Sequence, residues 1–174
     1  MIDSTTHSDY NFRVAQNHSI RIATRSDIPA IAALVNAAFK IETIFDGTRT
    51  DEQNIAEMMR AGTFLLIEDG SGLLLASVYI ELRGERGYFG MFAVRHSHQS
   101  HGLGRLIVKA AEQYCSSRGC KFIDVKMLSP RTVLLPFYHS MGYSEVGTEA
   151  FPSTRRMKEE GLECHFIVLS KELL

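Results

Sequence analysis

The chain has 174 residues, enough for one domain with a sizeable core. Hydrophobic residues make up 45% and charged ones 22%, which excludes a disordered or fibrous chain. Nineteen Lys and Arg against twenty Asp and Glu give a formal charge of −1; this excludes binding to nucleic acid driven by bulk basic charge.

Residues 1–18 are polar and aperiodic, and are expected to form a flexible tail ahead of a domain over 19–174. `SIRIATRSD` alternates at Ile20 and Ile22, then reaches Ser26-Asp27, a helix N-cap pair. Ile28, Ile31, Leu34 and Val35 follow at helical spacing, with Pro29 in the first turn. `DEQNIAEMMRAG` predicts a second helix stopped by Gly62. `TFLLIED`, `LLLASVYIELRG` and `YFGMFAV`, joined by short Gly-containing turns, read as three antiparallel strands.

The next helix is expected from Gly102 to about Ser117. Its apolar positions Leu103, Leu106, Ile107, Ala110, Ala111 and Tyr114 hold one face. `KFIDVKML` follows as a strand, so a crossover with parallel pairing is expected. A short helix in `RTVLLPFYHSM` stops at Gly142, and `YSEVGTEAF` and `CHFIVLSKEL` close the chain as two strands.

Cys115, Cys120 and Cys164 are odd in number and lack paired spacing, which suits a reducing compartment. Cys115 and Cys120 are expected to be buried thiols. No signal-peptide pattern is visible, and the apolar runs are too short to span a bilayer. A cytoplasmic protein without a membrane partner is the expectation, which leaves the sequon at Asn17 idle.

`RHSHQSHGLGRL` is the chemically densest stretch. His96, His98 and His101 lie within six positions. Three imidazoles can bind zinc, but they share one loop and have neither a fourth ligand nor an i, i+4 helical pair; no metal is expected. A helix beginning with Gly-Leu-Gly directly after a strand and a polar loop instead suits a phosphate. Its first N–H groups lack intrahelical partners and carry the positive end of the dipole. Glycine there keeps Cβ atoms out of the way. Gln99-x-x-Gly102-x-Gly104, with Arg105 adding charge, therefore reads as a pyrophosphate cradle.

With these residues the sequence resembles the GNAT superfamily of N-acetyltransferases over about residues 20–170. The signature Q/R-x-x-G-x-G/A is met by Gln99, Gly102 and Gly104, behind the strand end Phe92-Ala93-Val94. `PFYHSMGY` resembles the family's segment before its last two strands, and the order of elements agrees. The resemblance implies an α/β (α+β) single-domain fold, with a central mixed, mostly antiparallel sheet of six to seven strands flanked by about four helices. It implies acetyl-CoA as co-substrate, its pyrophosphate on the amides of Gln99, Ser100, His101, Gly102, Leu103, Gly104 and Arg105, and its pantetheine arm along Phe92, Ala93 and Val94. Ser129 stands where the family often carries an Asn toward that arm.

Acetyl transfer to an amine needs a neutral amine, a stabilised oxyanion and a proton for the departing thiolate. Tyr138 is the candidate proton donor by the same resemblance, and main-chain N–H groups of Phe92–Val94 the oxyanion donors. `YFGMFAV` lacks the glutamate many members carry, so Glu81 on the neighbouring strand is the candidate base and Glu42 a second choice. `FKIETIFDG` and `EAFPSTRRMKEEG` are expected beside the thioester, with Arg155, Arg156 and Lys158 able to meet an acceptor carboxylate. The implied function is N-acetylation of a small-molecule or protein amine; the alternative is a non-catalytic acyl-CoA-binding module. Nucleotide hydrolysis and dinucleotide redox chemistry lack their glycine-rich motifs. Oligomeric state stays open, a homodimer being common among look-alikes.

Overall fold

The computed structural model describes residues 12–14, 18–39, 47–152 and 163–174. The expected antiparallel strands are β2 (His18–Ile22), β3 (Thr63–Glu68), β4 (Leu74–Arg83) and β5 (Arg86–Val94). Asp69 shapes the β3–β4 turn: its Oδ1 accepts from the N–H groups of Ser71 and Leu73 at 2.9 and 3.0 Å. The β4–β5 turn uses only Gly84 and Glu85, with Gly84 at φ +64°. β6 (Phe122–Leu128) pairs parallel with β5, and β8 (His165–Glu172) lies antiparallel between β6 and β7 (Ser144–Ala150).

The sheet is mixed and mostly antiparallel, as expected; the domain supplies the expected seven strands, β2 to β8, and one more strand at its edge makes eight among the described residues. The addition is β1 (Phe12–Val14), drawn from the segment read as a tail, which stands opposite Ile20, Ser19 and His18 on β2. Main-chain pairing along an open sheet edge needs no apolar pattern, so periodicity missed it.

The helices are α1 (Ile28–Phe39), α2 (Glu52–Ala61), α3 (Leu103–Ser116) and α4 (Leu135–Ser140). Alternation along β3 divides the core. Leu65 and Ile67 pack with Ile107, Ala111 and Tyr138 of α3 and α4; Phe64 and Leu66 pack with Ile31, Val35 and Ile55 of α1 and α2. Each face of the sheet is thus covered by a helix pair. Cys115 and Cys120 are both buried, and their thiols are unbridged. Among the described residues no helix is long and apolar enough to cross a membrane.

The entry to α1 differs from the expected Ser26-Asp27 cap. A 3-10 turn, Arg25–Asp27, precedes the helix and moves the cap back to Thr24. The Thr24 N–H donates to Asp27 Oδ2 at 2.7 Å. Arg21 donates to both Asp27 oxygens at 2.8 and 2.7 Å and also reaches Glu68. One carboxylate therefore ties β2 to the start of α1.

Candidate active site

The ladder between β4 and β5 is broken. Tyr79 stands opposite Gly90 and Ser77 opposite Ala93, so Met91 and Phe92 face the single residue Val78. Met91 takes φ +47°, a left-handed conformation. Such an inserted residue bends its strand. Pairing of β5 with β6 stops at Phe89 and Val125, although the strands continue to Val94 and Leu128. A cavity of ≈ 320 Å³ opens where they part.

The cavity takes its walls from both faces of the sheet. Leu134 and Tyr138 come from the α3–α4 side, and Phe39, Tyr88 and Met91 from the α1–α2 side. Tyr138 is only 4% exposed, with Phe137, Tyr143 and Phe89 rings at 5.3, 5.9 and 6.3 Å. Its hydroxyl makes no hydrogen bond to another described residue. Burial pushes its phenol up, so it stays protonated well beyond neutral pH.

Beyond β5 the chain makes a 3-10 turn, His96–His98, and then the cradle. Ser100 and Gly102 take φ +65° and +79°, and α3 begins at Leu103. The first helical bond runs from the Leu106 N–H to the Gly102 carbonyl at 3.0 Å, which leaves the N–H groups of Leu103, Gly104 and Arg105 without helical acceptors. A Cβ on Gly102 would meet nothing within 4 Å, so open space lies before the helix.

Gly104 has a packing role beside the one its motif suggests. Its missing Cβ would point at Phe92 and Phe137, at 3.2 and 3.7 Å, rather than into that open space. Gly102 supplies a left-handed turn, while Gly104 lets α3 approach two rings that stack at 5.9 Å and 15°. Only Phe92 of that pair lines the cavity.

The remaining predicted residues divide. The Gln99 side chain donates to the Val94 carbonyl at 3.4 Å, and His101 Nδ1 donates to the Gln99 carbonyl at 2.7 Å, so both brace the cradle loop. Leu103 and Ala93 are buried anchors. Arg105 donates to Ser140 Oγ and stands 5.8 Å over the Phe137 ring, joining α3 to α4. Ser129 is bound to β8: its N–H donates to the His165 carbonyl at 2.8 Å and its Oγ accepts from the His165 N–H at 3.1 Å. His98 and His101 rings lie 6.4 Å apart, and among the described residues no three metal-ligating side chains converge.

Glu81 is not among the described cavity-lining residues, although it stands opposite Tyr88, which is. It accepts from Arg83 Nε at 2.8 Å and from the Tyr79 hydroxyl at 3.1 Å, and the Arg83 bond holds its carboxyl below the usual range. Glu42, Arg155, Arg156 and Lys158 lie outside the described residues.

The sequence reading missed the Met91 bulge and three cavity-lining cations, Arg49, Lys126 and Arg131. An isolated glycine inside a strand pattern, here Gly90, was the available signal for the bulge.

Residues 29–143 match the family model described as Acetyltransferase (GNAT) family. No curated protein matches the chain by sequence. Among solved structures, the chain is similar to the ribosomal-protein-S18-alanine N-acetyltransferase from Escherichia coli, at 16% identity and TM-score 0.70, covering 90% of this chain and 94% of that one. Nourseothricin acetyltransferase gives 15% identity and TM-score 0.69, over 91% and 100%. A protein from Salmonella typhimurium, described as an acetyltransferase and solved with its cofactor acetyl-CoA, gives 18% and 0.69, over 91% and 95%.

Proposed function

This chain belongs to the GNAT acetyltransferase family, and from that premise we propose that it transfers the acetyl group of acetyl-CoA to a primary amine by direct attack. The diphosphate is received by the N–H groups at the head of α3, where the left-handed Ser100 and Gly102 turn the chain in front of open space. The pantetheine arm enters where β5 and β6 are no longer paired and takes main-chain hydrogen bonds from Phe92–Val94. The amine, in its neutral form, attacks the thioester carbonyl and a C–N bond forms. Main-chain N–H groups of the same β5 edge stabilise the oxyanion. As the C–S bond breaks, the Tyr138 hydroxyl gives its proton to the thiolate. The acceptor nitrogen releases its proton to solvent. Glu81, opposite the lining Tyr88 but not itself among the described lining residues, takes up that proton by way of solvent in this reading.

One observation carries this reading: the split between β5 and β6 opens onto a cavity lined by Tyr138 and by Phe92, the ring against which Gly104 at the head of α3 packs. A thioester bound at the first would deliver its sulfur to the second. The acceptor is not given by the fold, since the E. coli neighbour is named for a ribosomal protein and another for nourseothricin. The three unbridged cysteines suit a cytoplasmic setting.

Calorimetry with acetyl-CoA and CoA, followed by thiol release against a panel of amines, tests the proposal. Binding of acetyl-CoA and amine-dependent thiol release are expected; absence of binding overturns it. The second reading, an acyl-CoA-binding module without turnover, draws on the lack of any Asp or Glu among the described lining residues. It requires binding with no thiol release from any amine.

A further inference from the structure

Two phenols line the cavity from opposite faces of the sheet, and the reaction above uses only one. Tyr138 comes from α4; the other is Tyr88 of β5, on the α1 side. Tyr88 stands opposite Asp124 of β6, one rung before the last pair of that ladder, Phe89 with Val125. Its side chain runs forward along β5 over Gly90, the first residue beyond that pair. A Cβ on Gly90 would lie 2.9 Å from the Tyr88 hydroxyl and 3.3 Å from two carbons of its ring. The bare backbone of Gly90, itself a lining residue, thus lets the hydroxyl rest where the slot between β5 and β6 begins. The ring is braced by cations. The Arg83 guanidinium stands 4.4 Å over it, held by Glu81 at 2.8 Å, and Lys126 lies 5.9 Å from it. The hydroxyl, by contrast, makes no hydrogen bond to another described residue. Burial raises this phenol, against the pull of Lys126, Arg83 and Arg49, so it stays a neutral hydroxyl at neutral pH.

Resting on the acetyl-transfer reading above, we infer that Tyr88 positions the acceptor: its hydroxyl oxygen accepts a hydrogen bond from the N–H of the attacking amine and turns the nitrogen lone pair toward the thioester carbonyl. A phenol can accept as well as donate; with its own hydrogen turned to water, its oxygen is open to the amine. The amine arrives neutral and gains positive charge as the C–N bond forms. Its N–H then becomes a stronger donor, and the bond to Tyr88 tightens in the transition state. A carboxylate in that place would form the same bond but would also favour the ammonium form, which cannot attack. A neutral phenol holds the amine without holding it protonated. Tyr88 keeps its own proton throughout, and the surplus proton of the nitrogen still passes to solvent. The two tyrosines divide the reaction between the faces of the sheet, Tyr138 serving the sulfur and Tyr88 the nitrogen.

The test uses the full-length protein with 2-phenylethylamine, leucine amide, spermidine and an alanine-initiated peptide, followed by thiol release. Tyr88→Phe keeps the ring under Arg83 and removes only the hydroxyl. For each amine that the wild type acetylates, kcat/KM is expected to fall about tenfold or more, mainly through kcat. Acetyl-CoA affinity by calorimetry should stay within about twofold. Gly90→Ala displaces the same hydroxyl and should give a similar loss. The two losses should not add: the double variant should be no worse than the poorer single one, a pattern that independent damage to the strand does not give. Unchanged kcat/KM in Tyr88→Phe overturns the inference, as do additive losses or a matching loss of acetyl-CoA affinity. Acetyl-CoA binding by the wild type without turnover of any of the four amines also overturns it; failure to bind acetyl-CoA at all sinks the acetyl-transfer reading beneath it.

Discussion

Gly104 of α3 backs onto Phe92 of the bulged strand so closely that a β-carbon would stand 3.2 Å from the ring. Gly104→Val should force the helix and ring apart and weaken acetyl-CoA binding by about tenfold or more. Gly102→Ala meets no atom but must hold φ +79°, at a cost of roughly 1–2 kcal/mol. Calorimetry and thermal melts on both variants separate the two effects. Gly104→Val should lose affinity through displaced rings, Gly102→Ala chiefly through backbone strain. Undiminished binding by Gly104→Val would remove the packing role.

Tyr138→Phe deletes a hydroxyl that no described side chain holds, so the melting temperature should stay within a few degrees. If the phenol protonates the thiolate, kcat at saturating acetyl-CoA should fall by about 100-fold. Because burial raises this phenol, it stays a competent acid across the neutral and moderately alkaline range. Wild-type kcat should therefore show no loss assignable to Tyr138 up to about pH 10. Unchanged kcat in Tyr138→Phe would end the proton-donor role.

Glu81→Gln keeps the shape of the Arg83 and Tyr79 contacts while removing the charge. A carboxylate that Arg83 holds ionised and that is not among the described lining residues should matter little, and kcat/KM should change by less than about threefold with the same pH profile. A fall of two orders of magnitude, together with loss of the acidic limb, would make Glu81 the base.

Asp27 joins β2 to α1 through Arg21 and the Thr24 cap. Asp27→Ala should cost about 1–3 kcal/mol in urea unfolding. Arg21 holds this carboxyl below its usual range. Its contribution is thus fully present above about pH 4 and is lost as pH falls through the depressed value. The wild type should lose stability on acidification more steeply than Asp27→Ala.

Cys115 sits at 0% exposure, and burial pushes its thiol up to about 12. The sign is that of a raised group: its share of stability is intact below the unfolded thiol value, about 8.5, and disappears as pH climbs toward 12. Melting temperatures should decline from about pH 9 upward, and alkylation of native protein at pH 8 should spare Cys115. Rapid labelling at that pH would show the thiol to be reachable.

Much of this molecule is legible in its residues. The meander from Thr63 to Val94 and the single apolar face of α3 are local patterns, and local patterns survive folding. The cradle was legible because loop and helix are adjacent in the chain. The slot was not. It depends on where one pairing ladder ends, and Arg49, Lys126 and Arg131 meet there from three separate segments. Alternation says which face Glu81 takes on its strand, but not that it would stand opposite the cavity-lining Tyr88. β1 was missed because its pairing is carried by main chain.

The Met91 insertion puts two residues of β5 opposite the single Val78 of β4, on the strand that lines the cavity. Deleting one residue there is expected to restore a continuous β4–β5 ladder and to straighten that strand, without touching any side chain credited with chemistry. The number of residues along β5 is therefore as much a part of this site as the residues that line it.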